Sequence, residues 1–404
     1  MTRTPRRLLL ALAATAVTLL GTAGAATAGA APATGTRLAP GVELDHWQVA
    51  TATGTATGEV VTVDLADPHV SVDLLHPTDV AAREKVSDMV ADAHAVAGVN
   101  ADFFNIDESQ HPGVAATGSS NGPEITHGRA LKAAVPDSQR FGPAMAPGTS
   151  TRDVIGVGVD GRARLGTLTL AGTVRIGADS HPLAGLNQYA VAQNGIDAFT
   201  SDWGTVSRQR AVCGSDVRRG DPCATDTAEI SVRHGRVAAV ADTPGAGAIP
   251  ADTTVLVGRE AGADTLRALH VGDPVSVQYG LTGGRVPFRV AVGGAPILRD
   301  GAVLPGVDDK VSATRTAAGI SADGRRLYLV ALDGQAEAGS GLTLARLAIL
   351  LSDLGAADGI NLDGGGSTTC AVVLPGTDGV TVVNNHPAGV AERAVANGIG
   401  VFRH

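Results

Sequence analysis

The sequence is poor in aromatic residues and carries no excess of positive charge. Phe, Trp and Tyr make up 3% of the 404 residues, which argues against an aromatic-lined sugar groove or a stacking platform for single-stranded nucleic acid. The formal net charge is −9, so the sequence lacks the basic character of a nucleic-acid-binding protein. We therefore expect no nucleic-acid partner, and a globular protein long enough to form a sizeable core.

Long hydrophobic runs are also missing after the N-terminal region. Residues 1–30 begin with three arginines among the first seven positions, continue with an apolar run at 8–20 and end in small residues. This order is typical of a secretory signal peptide. A retained anchor is the weaker alternative, because the run is short for a bilayer span. We expect a secreted, extracellular protein with no integral membrane segment after signal cleavage.

Cysteine is scarce, with three residues in the chain. Cys213 and Cys223 flank a polar loop, and in an oxidising compartment this spacing predicts a disulfide that closes a surface loop. Zinc is a poor alternative, because it needs a full set of nitrogen or sulfur ligands that the neighbouring residues do not supply. Cys370 precedes an apolar run, so we expect it to be a small buried side chain.

The N-terminal half begins with a stretch rich in Ala, Thr and Gly. We interpret residues 31–57 as a flexible lead-in to the folded domain. The alternating runs at 60–65 and 70–75 predict two strands that pair with each other. Apolar spacing over 80–94 predicts an amphipathic helix, and the short apolar run at 95–99 predicts a buried strand.

The remaining chain predicts the fold class. Residues 150–285 hold many short alternating runs with Gly and Asp turns, which favour an inserted, mostly β subdomain. Beyond it, 317–332 predicts a hairpin, 343–355 a helix and 360–363 a short strand. We therefore predict one α+β domain over 58–404, with a mixed β-sheet core, flanking helices and the β-rich insertion.

Two polar clusters follow predicted strands, where convergent functional groups are often placed. The first contains Asn100 and Asp102, which share a face if the strand continues; an Asx-type turn is the structural alternative. The second begins at Asp363 and continues with residues that offer backbone N–H groups and hydroxyls: Gly364, Gly365, Gly366, Ser367 and Thr368. Such an array suits phosphate, although the spacing is not that of a P-loop, since no Lys follows the glycines.

A third cluster supplies positive charge and one more carboxylate. Arg315 is followed by Thr316, and Glu392 is followed by Arg393 near the C-terminus. A guanidinium offers phosphate a planar pair of donors and stays charged at any working pH. Glu392 is the further carboxylate that acid–base chemistry requires, so these residues complete a candidate phosphate and catalytic set.

Six segments combine into a recognisable pattern: Gly98–Phe104, Val292–Leu298, Arg315–Gly319, Gly341–Leu344, Asn361–Thr369 and Glu392–Gly398. In this order they resemble the phosphodiester glycosidase family, over roughly residues 58–402. The chain departs from the family pattern at Cys370, where Met or another apolar residue often closes the glycine motif. The resemblance implies a hydrolase that cleaves the glycosidic bond of a sugar 1-phosphodiester on exopolysaccharide, cell-wall or glycan substrates.

The resemblance also suggests roles for the clustered residues. Asp102 and Asp363 are candidates for the carboxylate beside the anomeric carbon, and Glu392 for the general acid or base. The phosphate falls to Arg315 and the loop Gly364–Thr368. The rest of the predicted binding set orients the substrate or the carboxylates: Asn100, Thr316, Asn361 and Arg393.

Two other classes of function fit the same residues. One is a non-catalytic phospho-glycan binding protein, which needs the glycine loop and Arg315 but no catalytic carboxylate. The other is a metal-dependent phosphodiesterase, which attacks phosphorus rather than carbon. Calcium or magnesium is the cofactor that the carboxylates could hold, with candidate ligands Asp102, Asp107, Glu108 and Asp363, but the sequence assigns no metal site.

Overall fold

The computed structural model describes residues 35–52, 54–387 and 389–404, and these belong to one compact unit. The predicted signal peptide at 1–30 lies outside the described residues. Within the described ranges, no helix is both long and apolar enough to cross a membrane.

Strands dominate the described structure. In chain order they are β1 (Thr36–Ala39), β2 (Val42–Thr51), β3 (Gly54–Asp64), β4 (Val70–Leu75), β5 (Ala97–Asn100), β6 (Glu124–Thr126), β7 (Arg129–Lys132), β8 (Asp153–Gly158), β9 (Ala163–Thr167), β10 (Thr169–Ile176), β11 (Asp179–Pro182), β12 (Gly185–Leu186), β13 (Ile196–Phe199), β14 (Thr227–Arg233), β15 (Arg236–Ala241), β16 (Thr253–Arg259), β17 (Val275–Thr282), β18 (Phe288–Gly293), β19 (Ala295–Arg299), β20 (Ala302–Val303), β21 (Thr316–Ile320), β22 (Arg326–Leu332), β23 (Asp358–Leu362), β24 (Cys370–Val373), β25 (Val380–Val382) and β26 (Gly398–Arg403).

The described helices are short: α1 (Val86–Asp92), α2 (Ala261–Arg267) and α3 (Leu344–Asp353). The helix predicted at 343–355 is confirmed, and the Thr343 hydroxyl caps it by accepting from the Arg346 N–H. The helix predicted at 80–94 is shorter than expected. Its first residues bond to other segments instead, since the N–H groups of Val80 and Glu84 donate to the carbonyls of Asp202 and Val395.

The largest sheet has the strand order β1-β2-β3-β22-β21-β23-β19-β20 and is antiparallel throughout, not mixed as predicted. The flexible lead-in predicted at 31–57 is wrong for most of its described residues, which form β1, β2 and the start of β3. The Ala- and Thr-rich composition hid the buried residues of β2: Val42 and Leu44 lie in the core on one face of the sheet, and Trp47 lies in the core on the other. The hairpin predicted at 317–332 is confirmed as β21 and β22.

A second sheet, β25-β24-β5-β26-β4, lies against one face of the large sheet. The predicted pairing of the runs at 60–65 and 70–75 is wrong. β3 pairs with β2 and β22, whereas β4 pairs with β26 in the second sheet. Both edges of β3 are therefore already occupied. Ile360 and Leu362 of β23 face this shared core, and α3 covers the opposite face of the large sheet through residues such as Leu351.

The regular structure of residues 150–285 is mainly β-strand, as the alternating runs predict, and α2 is the one α-helix among the described residues there. They form two sheets of their own, β11-β10-β17 and β12-β13-β16-β14-β15. However, β8 and β9 join β6, β7 and β18 in a further sheet, so this region shares a sheet with the chain on both sides of it. The Cys213–Cys223 disulfide is present, and Cys370 is fully buried in β24, where burial raises the pKa of its thiol.

Candidate active site at the glycine loop

The glycine loop, residues 364–367, begins where β23 ends. Thr316 of β21 pairs with Leu362 of β23, and the two strands are antiparallel. The residue before Thr316, Arg315, and the residue after Leu362, Asp363, therefore lie side by side at the same end of the two strands. The loop is fixed by backbone bonds, because the Gly365 N–H donates to the Thr314 carbonyl (2.8 Å). The predicted loop, Arg315 and Asp363 therefore meet in space, although Arg315 is far from the loop in the sequence.

Asn100 joins the two sheets beneath this loop. Its Nδ2 donates to the Asp363 carbonyl oxygen (2.6 Å), and its Oδ1 accepts from the Thr316 hydroxyl (2.7 Å) and the Thr369 N–H (3.0 Å). The side chain is fully buried. Because its oxygen and its amide group are both engaged by protein, Asn100 and Thr316 hold the loop in place rather than contact a sugar.

Asp363 is the carboxylate at the loop. Its Oδ1 accepts from the Gly364 N–H (3.0 Å). Part of its surface reaches solvent, yet the surrounding protein is dense enough that burial raises its pKa to about 7. Hydrogen bonding from Ser367 and the charge of Arg393 oppose this rise, while the carboxylate of Glu337 adds to it. Asp363 can therefore gain or lose a proton near neutral pH, as a general acid or base requires.

Two of the loop glycines are required by their surroundings. Gly365 has φ +57, and a side chain there would collide with the Glu337 carboxylate. A Cβ at Gly364 would lie 2.5 Å from the carbonyl oxygen of Thr314, a backbone atom that cannot rotate away. The Gly366 N–H donates to Glu337 Oε1 (3.1 Å), which shows that this backbone group can bind an anionic oxygen.

Two guanidinium groups flank the loop. Arg393 donates from Nη1 to the Ser367 hydroxyl (3.3 Å) and from Nη2 to Glu337 Oε1 (3.1 Å). Arg315 is buried and is held by the carbonyls of Leu342 (3.2 Å from Nε) and Val311 (2.9 Å from Nη2). Burial lowers the pKa of Arg315, against the nearby carboxylates of Asp308 and Glu337. Arg393 therefore contacts the loop directly, whereas Arg315 donates to carbonyls outside the loop and acts on it through its charge, which interacts with that of Glu337.

Asn361 is a fully buried residue whose amide lacks a hydrogen-bond partner within the described residues. It stands opposite Ala317 in β21 and two positions before Asp363, so the two side chains lie on the same face if the extended backbone of β23 continues one residue further. An unsatisfied buried amide costs free energy. Its position next to Asp363 is consistent with the predicted role of Asn361 in binding substrate, and the Thr368 hydroxyl is unsatisfied in the same way.

The side chain of Asp102 is buried away from solvent and bonds to Gly122 rather than to the glycine loop. Its carboxylate is 2% exposed and Oδ2 accepts from the Gly122 N–H (2.5 Å). Burial raises its pKa to about 7, although the Gly122 N–H and the charge of Lys132 oppose the rise. The adjoining cavity, which Arg140 also lines, has a volume of about 10 Å³, room for at most one water. The predicted contact between Asp102 and the anomeric carbon is therefore not supported.

The carboxylate of Asp102 belongs to a buried polar cluster that sequence reasoning missed. Lys132 is fully buried, and its Nζ donates to the carbonyls of Gly122 (2.7 Å) and Ala133 (2.8 Å). Burial lowers the pKa of Lys132 to about 8, while Glu124 and Asp102 oppose the shift. Lys132 lies directly across from Glu124 in the hairpin of β6 and β7. A prediction of this hairpin from the sequence would have placed the two residues together.

Glu392 requires a correction. Its Oε1 accepts from the Ser87 N–H (3.0 Å) and its Oε2 from the Ser87 hydroxyl (2.5 Å). Ser87 lies in the first turn of α1, where backbone N–H groups lack partners within the helix. The structure therefore assigns Glu392 to helix capping, whereas its neighbour Arg393 does reach the glycine loop. Adjacent residues in an extended segment point to opposite sides, and the sequence could not say which one faces the loop.

We expect Glu392→Ala to lower the free energy of unfolding by about 1 kcal/mol through loss of the cap, with kcat unchanged. Urea unfolding and steady-state kinetics on the same preparation measure both. Glu392→Gln, which keeps an acceptor oxygen, should lose less stability. A loss of kcat comparable to that of an Asp363 variant, with stability intact, would return Glu392 to the catalytic set.

The carboxylates proposed as metal ligands are engaged separately. Asp107 accepts from Ser109, and Glu108 pairs with Arg210 and His111. Across the described residues, no group of three or more His, Cys, Asp or Glu side chains is arranged to hold a metal ion. The predicted set of Asp102, Asp107, Glu108 and Asp363 does not form a cluster.

Comparison with known proteins confirms the family resemblance over part of the chain. Residues 226–402 match the family model described as phosphodiester glycosidase. The matched region contains Arg315, Asp363, the glycine loop and Arg393, and begins after Asn100. Among curated proteins, none matches the chain significantly.

Solved structures share the fold. A hypothetical protein from Synechocystis matches with a TM-score of 0.68 and 23% identity, over 90% of this chain and 62% of that one. The present chain thus spans less than two thirds of that protein's length. A Burkholderia pseudomallei protein described as exported matches with a TM-score of 0.65 and 22% identity, over 87% and 74% of the two chains. The catalytic domain of zebrafish N-acetylglucosamine-1-phosphodiester alpha-N-acetylglucosaminidase is more remote, with a TM-score of 0.44 and 16% identity, over 91% and 85% of the two chains.

Proposed function

We propose that this protein is a secreted hydrolase that cleaves the glycosidic bond of a sugar 1-phosphodiester. The observation that carries the proposal is the meeting of Asp363, the glycine loop and two arginines at one end of β21 and β23. The match of residues 226–402 to the phosphodiester glycosidase family supports the reaction class.

The phosphate lies on the glycine loop. The Gly366 N–H and the Arg393 guanidinium already share one carboxylate oxygen, so the same donors can receive a phosphate oxygen. Arg315 contributes positive charge from the buried side. These groups stabilise the phosphodiester anion as its bond to the sugar breaks, and such a leaving group needs no full protonation.

Asp363 manages the proton of the attacking water. The water oxygen bonds to the anomeric carbon, the carbon–oxygen bond to phosphate breaks with its electron pair, and Asp363 takes the proton from the water. A pKa of about 7 lets the carboxylate be ionised in neutral to mildly alkaline solution and still accept a proton. The amide of Asn361, which has no hydrogen-bond partner among the described residues, has the role of orienting a sugar hydroxyl or the Asp363 carboxylate.

A substrate panel tests the proposal. Purified protein is assayed against sugar 1-phosphodiesters with different sugars and against para-nitrophenyl glycosides of the same sugars, with and without added Ca²⁺ or Mg²⁺. We expect turnover of at least one phosphodiester. The para-nitrophenyl glycoside of the same sugar should be hydrolysed at least about 100-fold more slowly, because it has no phosphate to contact the loop. Equal rates would contradict a phosphate-binding role, and binding without turnover across the panel would favour a binding protein.

A further inference from the structure

The glycine loop already carries an anion that belongs to the protein. Glu337 Oε1 accepts from the Gly366 N–H and from Arg393 Nη2, both at 3.1 Å. The same carboxylate lies directly against Gly365, at the place where any side chain on that glycine would go. It thus uses two of the donors that the proposed function gives to phosphate.

The backbone on both sides of Glu337 is fixed. The Thr314 N–H donates to the Ala336 carbonyl (2.9 Å), and the Ala336 N–H donates to the Thr314 hydroxyl (2.9 Å). After Glu337, the Gly339 N–H donates to the Ser312 carbonyl (2.8 Å). The side chain itself is 69% exposed, so the carboxylate can leave the loop by rotating into solvent while the backbone stays in place.

We propose that Glu337 is a built-in competitor for the phosphate subsite, which the substrate phosphate displaces from Gly366 and Arg393. This inference rests on the proposed function for the identity of the anion. Two anions cannot share these donors, because like charges at this distance repel. Glu337 therefore sets a threshold for anion binding: it disfavours weakly held anions and yields to one that also contacts the remaining loop groups and Arg315.

Inorganic phosphate is the probe for this inference, because its binding requires no turnover. Isothermal titration measures its affinity for the wild-type protein, Glu337→Ala and Glu337→Gln. We expect both variants to bind phosphate about 1.5-fold to 5-fold more tightly, the range for an exposed ion pair that no longer competes. Arg393→Ala and the double variant Glu337→Ala/Arg393→Ala should both bind more weakly than Glu337→Ala, since the shared donor is gone.

Glu43→Gln is the matched control, because Glu43 is exposed in β2 and its replacement changes the net charge equally. Three results would overturn the inference. The phosphate affinity of both Glu337 variants is unchanged, Glu43→Gln gains as much phosphate affinity as they do, or no variant binds phosphate. The proposed function fails separately: tighter phosphate binding by Glu337→Ala without turnover of any phosphodiester would leave the competitor role standing. Thermal unfolding checks that each variant is folded.

Discussion

Replacing Asp363 with Asn lowers kcat by about 10²–10⁴-fold, the usual contribution of a general base. The change removes the proton acceptor but keeps an oxygen for the Gly364 N–H, so the loop keeps its shape. The affinity for inorganic phosphate should not fall, because the Gly366 N–H and Arg393 remain. Single-turnover kinetics on an active phosphodiester and phosphate titration measure the two effects.

The pH profile provides an independent check on Asp363. A general base acts only when deprotonated, and burial raises the pKa of Asp363 to about 7. Wild-type kcat should therefore rise as the pH increases through about 7 and level off above it. The residual rate of Asp363→Asn should lack this limb. Asp363 would be excluded as the base if Asp363→Asn retained full kcat, or if its kcat still rose with pH through about 7.

Replacing Lys132 with Met destabilises the protein by about 3–5 kcal/mol, the cost of removing one partner from a buried charged cluster. Lys132 is fully buried and its charge interacts with those of Glu124 and Asp102, so the substitution removes a favourable interaction from both carboxylates. The carbonyls of Gly122 and Ala133 also lose their donor. Denaturant unfolding at neutral pH measures the change.

The loss of folding stability caused by Lys132→Met grows as the pH rises from about 5 to about 8. Asp102 already has a raised folded pKa, so it favours folding in acid and disfavours it as the pH passes through about 7. Without Lys132 that pKa rises further, and ionising the carboxylate costs more. The folded pKa of Lys132 is about 8, so its own titration lies at the upper edge of this window. Lys310→Met, at an exposed residue, is the control. Equal stability of Lys132→Met and wild type would contradict the buried cluster.

The parts of the candidate site that could be located from the sequence are contiguous motifs. Asp363 and the glycine loop follow a short apolar strand, and this local order is sufficient to predict a turn rich in backbone donors. Arg315 was predicted by its chemistry and by the family resemblance, and the pairing of β21 with β23 brings it beside Asp363.

The parts that failed depend on long-range pairing and side-chain direction. β3 and β4 are neighbours in sequence, but each finds its partners far along the chain. The abundance of small residues at 31–57 favours a flexible lead-in, yet a sheet needs only alternate buried positions such as Val42 and Leu44. Glu337 lies in a segment of small residues without any periodic pattern, so only the folded loop reveals what it contacts.

The position of bond cleavage tests the central claim most directly. An active sugar 1-phosphodiester is hydrolysed in ¹⁸O-labelled water, and both products are analysed by mass spectrometry. If the glycine loop and the arginines hold the phosphate as a leaving group while water attacks the sugar, the label appears at the anomeric hydroxyl of the released sugar. Label in the phosphate would mean attack at phosphorus and would contradict the glycosidase account.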